Sequence, residues 1–357
     1  MPDPTRRAVL ATGAALALTP GRTRAQGLKK VKIAVGTNVL NLTYPWLTLP
    51  ITLGWWRDAG YDVEVLPVGA SLQALQQMVA GNVQFAQLNS SVVIQANVVN
   101  DIPVRVVMTN GILDWSLAVP DDSPIRDPHD FKGKRIGVFS LATGGIAFMK
   151  AWFAELGVTD VQIIALGLGA PPVEALRDHR VDALLYWGSA LAGFENAGLK
   201  LRLFQGTDWT QYPDFTFSTL QKAIDDDPAM VTAIAKGAAM ASVFVMANPD
   251  CQRRLHWEKY PSSRPTNTDE ATAIKWDSNT LRMQLIAMKG AFELGGGKLW
   301  GQATPEAYSR IQDFMLKAGL IPRGIDPKTY MPGIPNFFAK INDFDAAAIR
   351  QQAEACR

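Results

Sequence analysis

The chain has 357 residues, 48% of them hydrophobic and 19% charged. That composition excludes a disordered polymer and leaves room for two separate cores. The formal net charge of +2 owes its sign to Arg6, Arg7, Arg22 and Arg24 near the start, and residues 26–357 carry 31 basic and 32 acidic side chains. No basic footprint for nucleic acid is left.

The first 25 residues read as a cleavable export leader. Arg6 and Arg7 precede the apolar stretch Ala8 to Leu18, and small residues lead to a cut near Ala25. The stretch is too short to span a bilayer. The adjacent arginines point to the twin-arginine route, and with it to the periplasm. No later apolar run approaches the roughly 20 uninterrupted residues of a membrane span, so the mature chain is expected not to insert in the membrane.

Val31 to Val35 is a β-branched run that reads as a first strand. A polar-aromatic loop follows, and Ile51 to Ala59 reads as a helix stopped by Gly60. Asp62 to Val68 alternates with period two, as a strand does. Ser71 is placed to cap a helix carrying Leu72, Leu75 and Val79. Val83 to Ala86 is a short strand, Ser90 or Ser91 opens a helix to about Val99, and Val104 to Met108 is another strand. A second block from near Trp115 repeats the alternation, with strands over Arg135–Phe139, Val161–Leu166, Asp182–Tyr186 and Leu199–Phe204. The intervening helices include one opened by Pro171-Pro172. From about Asp225 the pattern becomes helical. Such alternation predicts an α/β fold of mostly parallel sheets flanked by helices, whose ligands meet the loops at the carboxyl ends of strands.

Several segments then share an order with a known family. Lys32-Ile33-Ala34-Val35 leads into an aromatic loop. Gly60-Tyr61-Asp62-Val63-Glu64 opens the second strand, and Leu75 to Phe85 runs helix, Gly81, strand. Asp130-Phe131-Lys132-Gly133-Lys134-Arg135-Ile136-Gly137-Val138 opens the second block, and Asn248-Pro249-Asp250 ends a long helix. With these the chain resembles the type II periplasmic binding proteins of ATP-driven importers, in the branch that binds nitrate, sulfonates, taurine and thiamine-pyrimidine precursors. The resemblance implies two α/β lobes with a helical C-terminal extension, residues 26–112 with 205–357 forming one and 113–204 the other. It also implies a small-molecule ligand and an inner-membrane ABC permease as partners. The first loop departs from the family's Pro-aliphatic-aliphatic-Ala run, reading Leu42-Thr43-Tyr44-Pro45-Trp46-Leu47-Thr48-Leu49-Pro50.

Four loops supply candidate ligand contacts. Asn38, Asn41, Tyr44 and Trp46 follow the first strand. Asn89, Ser90 and Ser91 open a helix, whose free N–H groups suit an anion or a carbonyl. Ser140, Thr143, Gly144 and Gly145 offer the same chemistry with close backbone approach. Tyr186 and Trp187 end a strand where an aromatic ring could stack on a solute. These loops hold no Lys, Arg, Asp or Glu, which favours a neutral or hydrogen-bonded ligand, or an anion held by N–H groups. None of His129, His179 and His256 belongs to a metal-spaced pair, and no nucleophile elbow or phosphate loop appears. A binding protein without catalysis, metal or cofactor is therefore expected. The rivals are a ligand sensor for a membrane receptor and a thiamine-pyrimidine synthase-like enzyme, which would need a lysine-bound pyridoxal phosphate. Cys251 and Cys356 are read as free thiols by default.

Overall fold

The computed structural model describes residues 27–356; the expected leader, with its cut near Ala25, lies outside them. Two five-stranded sheets, each flanked by helices, make up the two lobes of the fold. The first contains β1 (Lys29–Val35), β2 (Tyr61–Pro67), β3 (Phe85–Leu88) and β4 (Val104–Ile112). Its helices are α1 (Pro45–Thr52), α2 (Trp55–Asp58), α3 (Ser71–Val79) and α4 (Ser90–Val99). The second contains β5 (Trp115–Pro120), β6 (Arg135–Val138), β7 (Gln162–Ala165), β8 (Ala183–Trp187) and β9 (Leu201–Phe204), with α5 (Gly145–Leu156), α6 (Ala170–Arg177) and α7 (Gly188–Asn196). The chain then returns to the first sheet through β10 (Pro213–Leu220).

Strand order is β2-β1-β3-β10-β4 in one sheet and β7-β6-β8-β5-β9 in the other. The parallel pairs are β1 with β2 and β3, and β6 with β7 and β8. The two strands on which the chain arrives from the other sheet, β5 and β10, lie antiparallel inside their sheets. Neither strand was expected from the sequence. Both are buried on both faces, so they lack the period-two alternation that marks a half-exposed strand. Their small polar side chains bond internally, as when Thr216 Oγ1 donates to the Leu88 carbonyl at 3.2 Å.

Local chemistry corrects two further expectations. The helix placed at Ile51 to Ala59 is two helices, because Pro45 starts α1 seven residues after Asn38 and Gly54, at φ 78°, breaks it before α2. Such a positive φ favours glycine. Ser71 does not cap α3; its Oγ instead accepts the N–H of Asn89 at 2.8 Å, tying the helix to the loop after β3.

The remaining chain is helical: α8 (Gln221–Asp226), α9 (Pro228–Ala247), α10 (Pro249–Lys259), α11 (Glu270–Leu294), α12 (Pro305–Lys317), α13 (Phe337–Ile341) and α14 (Ala346–Ala355). Asp227 caps α9 by accepting from Met230 N–H at 2.8 Å. This helix is long and apolar enough to cross a membrane, but it is packed by α1, α13 and α14 as a core helix. Trp56, 1% exposed, lies over Gly237 of α9 and donates to the Ile234 carbonyl at 3.0 Å. Trp55 is half-buried beside Phe244. Helix α11 packs against both α7 and β4, and so touches both lobes. The free-thiol expectation is corrected as well: Cys251 and Cys356 form a disulfide that joins the start of α10 to the residue after α14.

Candidate functional site

The two lobes meet where the loop after β3 touches the loop after β6. Ser91 Oγ donates to the Gly144 carbonyl at 3.2 Å. A Cβ at Gly144 would stand 2.4 Å from the Asn89 Cβ, and one at Gly145 would stand 2.2 Å from the Trp115 ring. Only glycine permits that approach. A groove of about 220 Å³ opens on this seam, lined by Ser91, Thr143 and Gly144 with Leu72, Ile146 and Lys150 around them.

Beneath the seam lies a buried polar floor. Asp214, fully buried in β10, accepts from Ser90 N–H at 2.8 Å, Asn89 Nδ2 at 2.9 Å and Trp115 Nε1 at 3.1 Å. Ser90 is the first residue of α4, so a carboxylate of the protein already sits at that helix start. The adjacent Phe215 adopts φ 48°, a left-handed conformation disfavoured for a bulky side chain. Asp114, between β4 and β5, does the same at α7, where its Oδ2 accepts from Gly188 N–H at 3.1 Å. Its Oδ1 is buried without a partner among the described residues.

Burial pushes the Asp214 carboxyl up to about 6, against the bonds from Ser90 and Asn89 that hold it down. Burial, with the Asp214 charge second, pushes Asp114 up to about 7. A carboxyl raised in the folded state binds its proton more tightly there than in the unfolded chain. The cost of ionising it grows as pH rises from its unfolded value toward its folded one. Lowering the pH from 8 to 6 should therefore raise stability by about 1 kcal/mol, part of the gain being offset by His256, which burial pushes down to about 4. Asp114→Asn should be more stable than the parent at pH 8 and lose most of that rise. Urea midpoints at the two pH values measure this.

The candidate residues from the sequence are placed as follows. Asn38 is exposed. Asn41 turns its Oδ1 to Thr43 N–H at 3.0 Å. Tyr44 and Trp46 are buried with their rings 5.8 Å apart, edge to face, and Trp46 Nε1 donates to Gln87 Oε1 at 2.8 Å. Burial, with the neighbouring Asp114 charge adding to it, pushes the Tyr44 hydroxyl up to about 12. Asn89, Ser90, Ser91, Thr143, Gly144 and Gly145 converge on the seam; Ser140 shapes that loop, its Oγ accepting from Ala142 N–H at 3.2 Å. Tyr186 lies in the second lobe's core, donating to the Gly167 carbonyl at 2.6 Å, while Trp187 packs edge-on against Trp115 and Phe139.

Sequence reasoning did not find Asp114, Asp214, Trp115 or Gln87. One signal was present: Asp114 is a lone acid between Ile112-Leu113 and Trp115, and an isolated charge in an apolar run needs a partner.

The family described as NMT1/THI5 like matches residues 47–252, more than half of the chain. No curated protein matches by sequence. Among solved structures, the chain is similar to the alkanesulfonate-binding protein SsuA from Xanthomonas axonopodis pv. citri bound to MOPS, at 15% identity and a TM-score of 0.63, covering 86% of this chain and 99% of that one. It is similar to the periplasmic aliphatic sulphonate binding protein SsuA from Escherichia coli at 13% identity and a TM-score of 0.61, covering 87% and 99%. The desulfurization enzyme DszB shares the fold too, at 15% identity and a TM-score of 0.55, covering 88% and 98%. At these identities the likeness establishes the fold, and a fold hosts many functions.

Proposed function

Because the chain belongs to the NMT1/THI5-like family, we propose that it captures a small solute between its two lobes, outside the cytoplasm, and delivers it to the permease of an ATP-driven importer. The observation that carries this reading is the meeting of Asn89 and Ser91 from one lobe with Gly144 from the other, beside a groove of about 220 Å³. A solute in that seam touches both lobes at once. It binds the shut arrangement better than the open one and so shifts the population toward closure. The lobes are taken as 26–112 with 205–357, and 113–204. The periplasmic binding proteins among the structural relatives support export, as does the disulfide, a bond that persists in oxidising compartments.

Each group has a task in this mechanism. Ser91 and the Ser140–Gly145 loop form the rim. Trp115 and Trp187 wall the interior from the second lobe, and Tyr44 and Trp46 from the first. Asp214 holds the start of α4 against Trp115, and hence one lobe's rim against the strand that leads into the other. A thermal-shift screen of sulfonates, aromatic acids, aromatic heterocycles and nitrate tests the reading. A true solute at about 100 times its dissociation constant adds about 2.7 kcal/mol, a shift of several degrees. Small-angle scattering should show compaction with the same solute. A chain that neither melts later nor compacts with any solute class is not a capture protein.

A further inference from the structure

Both helix starts facing the polar floor already hold an anion that belongs to the chain. Asp214 takes Ser90 N–H at the head of α4, and Asp114 takes Gly188 N–H at the head of α7. Among the described residues, Asp114 Oδ1 and Gln87 Nε2 are buried without partners. Gln87 is 4% exposed, and its Oε1 is committed to Trp46 Nε1 and Asn110 Nδ2, which leaves Nε2 as the free donor. Tyr44, stacked edge-on with Trp46, feels the Asp114 charge. Gln87 thus bonds one ring of an aromatic pair whose other ring feels the Asp114 charge.

We infer that Asp114 is the specificity-determining residue of the site and that it selects a solute bearing N–H donors, an amine or amidine, over a simple oxyanion. The inference rests on the capture reading above. An unpartnered acceptor shut away from water is costly unless a donor meets it. A second acceptor-only group brought against Asp114 would add repulsion to that cost. A donor-bearing solute satisfies Asp114 Oδ1, and an acceptor elsewhere on it satisfies Gln87 Nε2. Sulfonates and carboxylates remain welcome only as the far end of such a molecule, toward the rim and Lys150.

Matched probes that differ by the N–H group test this: taurine against ethanesulfonate, benzamidine against benzoate, and 4-aminopyridine against pyridine. Binding to the exported chain is read by calorimetry at pH 8. The N–H-bearing member of at least one pair should bind about tenfold tighter or more, and Asp114→Asn should abolish the preference while circular dichroism and melting show it folded. Equal or tighter binding of the members without N–H, or a preference that survives Asp114→Asn, overturns the inference and leaves capture standing. Failure of all six probes and of the wider solute screen brings down the capture reading, and this inference with it.

Discussion

Replacing Asp214 with alanine should cost about 3–5 kcal/mol of stability. The loss has a specific origin. Ser90 N–H, Asn89 Nδ2 and Trp115 Nε1 all end on this carboxylate, and removing it leaves three buried donors with no acceptor. Each such donor costs about 1–3 kcal/mol. Relaxation and the relief of burying an acid already pushed up to about 6 lower the sum. Asp214→Asn should lose less, because its amide oxygen still receives Ser90 N–H, but its own amide NH2 would face Asn89 or Trp115 as a second donor. Urea unfolding at pH 7.5 ranks the parent, Asn and Ala forms. An alanine form within 1 kcal/mol of the parent, as an order-of-magnitude bound, would mean that the three donors are satisfied elsewhere and that the floor is not a connected unit.

Cys251→Ser should cost about 4 kcal/mol, and reductant should do the same to the parent protein while leaving the variant unaffected. The bond closes a loop of 105 residues in sequence separation, and a loop of that length removes about 4.7 kcal/mol of chain entropy from the unfolded state. It also holds α14 onto the body of the first lobe, where Asn248 Nδ2 donates to the Ala353 carbonyl at 3.0 Å. Urea midpoints with and without dithiothreitol measure the effect. Coincident curves would show that the bridge adds nothing that the packing of α14 on α9 does not already supply.

Much of the fold was legible because most strands and helices expose one face. Asp62 to Val68 alternates, so period alone places that strand. The helix expected over Leu72, Leu75 and Val79 is present as α3, but it buries Ala74, Leu75 and Met78 and leaves Leu72 and Val79 exposed, so its inward face was misread. The strands β5 and β10 are buried on both sides and carry no such signature. The same blindness hid the polar floor. The loops at 89–91 and 140–145 are visible as small polar residues after strands. Asp214 sits inside a strand that periodicity does not reveal, and Asp114 sits in the short link before another. The disulfide was illegible for a different reason: nothing in the sequence brings Cys251 within 5.4 Å, Cα to Cα, of a residue 105 positions away.

Only Leu113 and Asp114 separate the end of β4 from the start of β5, and Leu113 N–H is tied to the Tyr212 carbonyl of the returning segment at 2.9 Å. At this crossing, the shorter of the two between the sheets, any swing of one lobe away from the other turns on backbone torsions within those two residues and their tethered neighbour. The carboxylate inferred to sense the cargo is therefore carried on the axle itself. Turning the axle would aim or avert it, so that grasp and recognition become one movement rather than two steps in sequence.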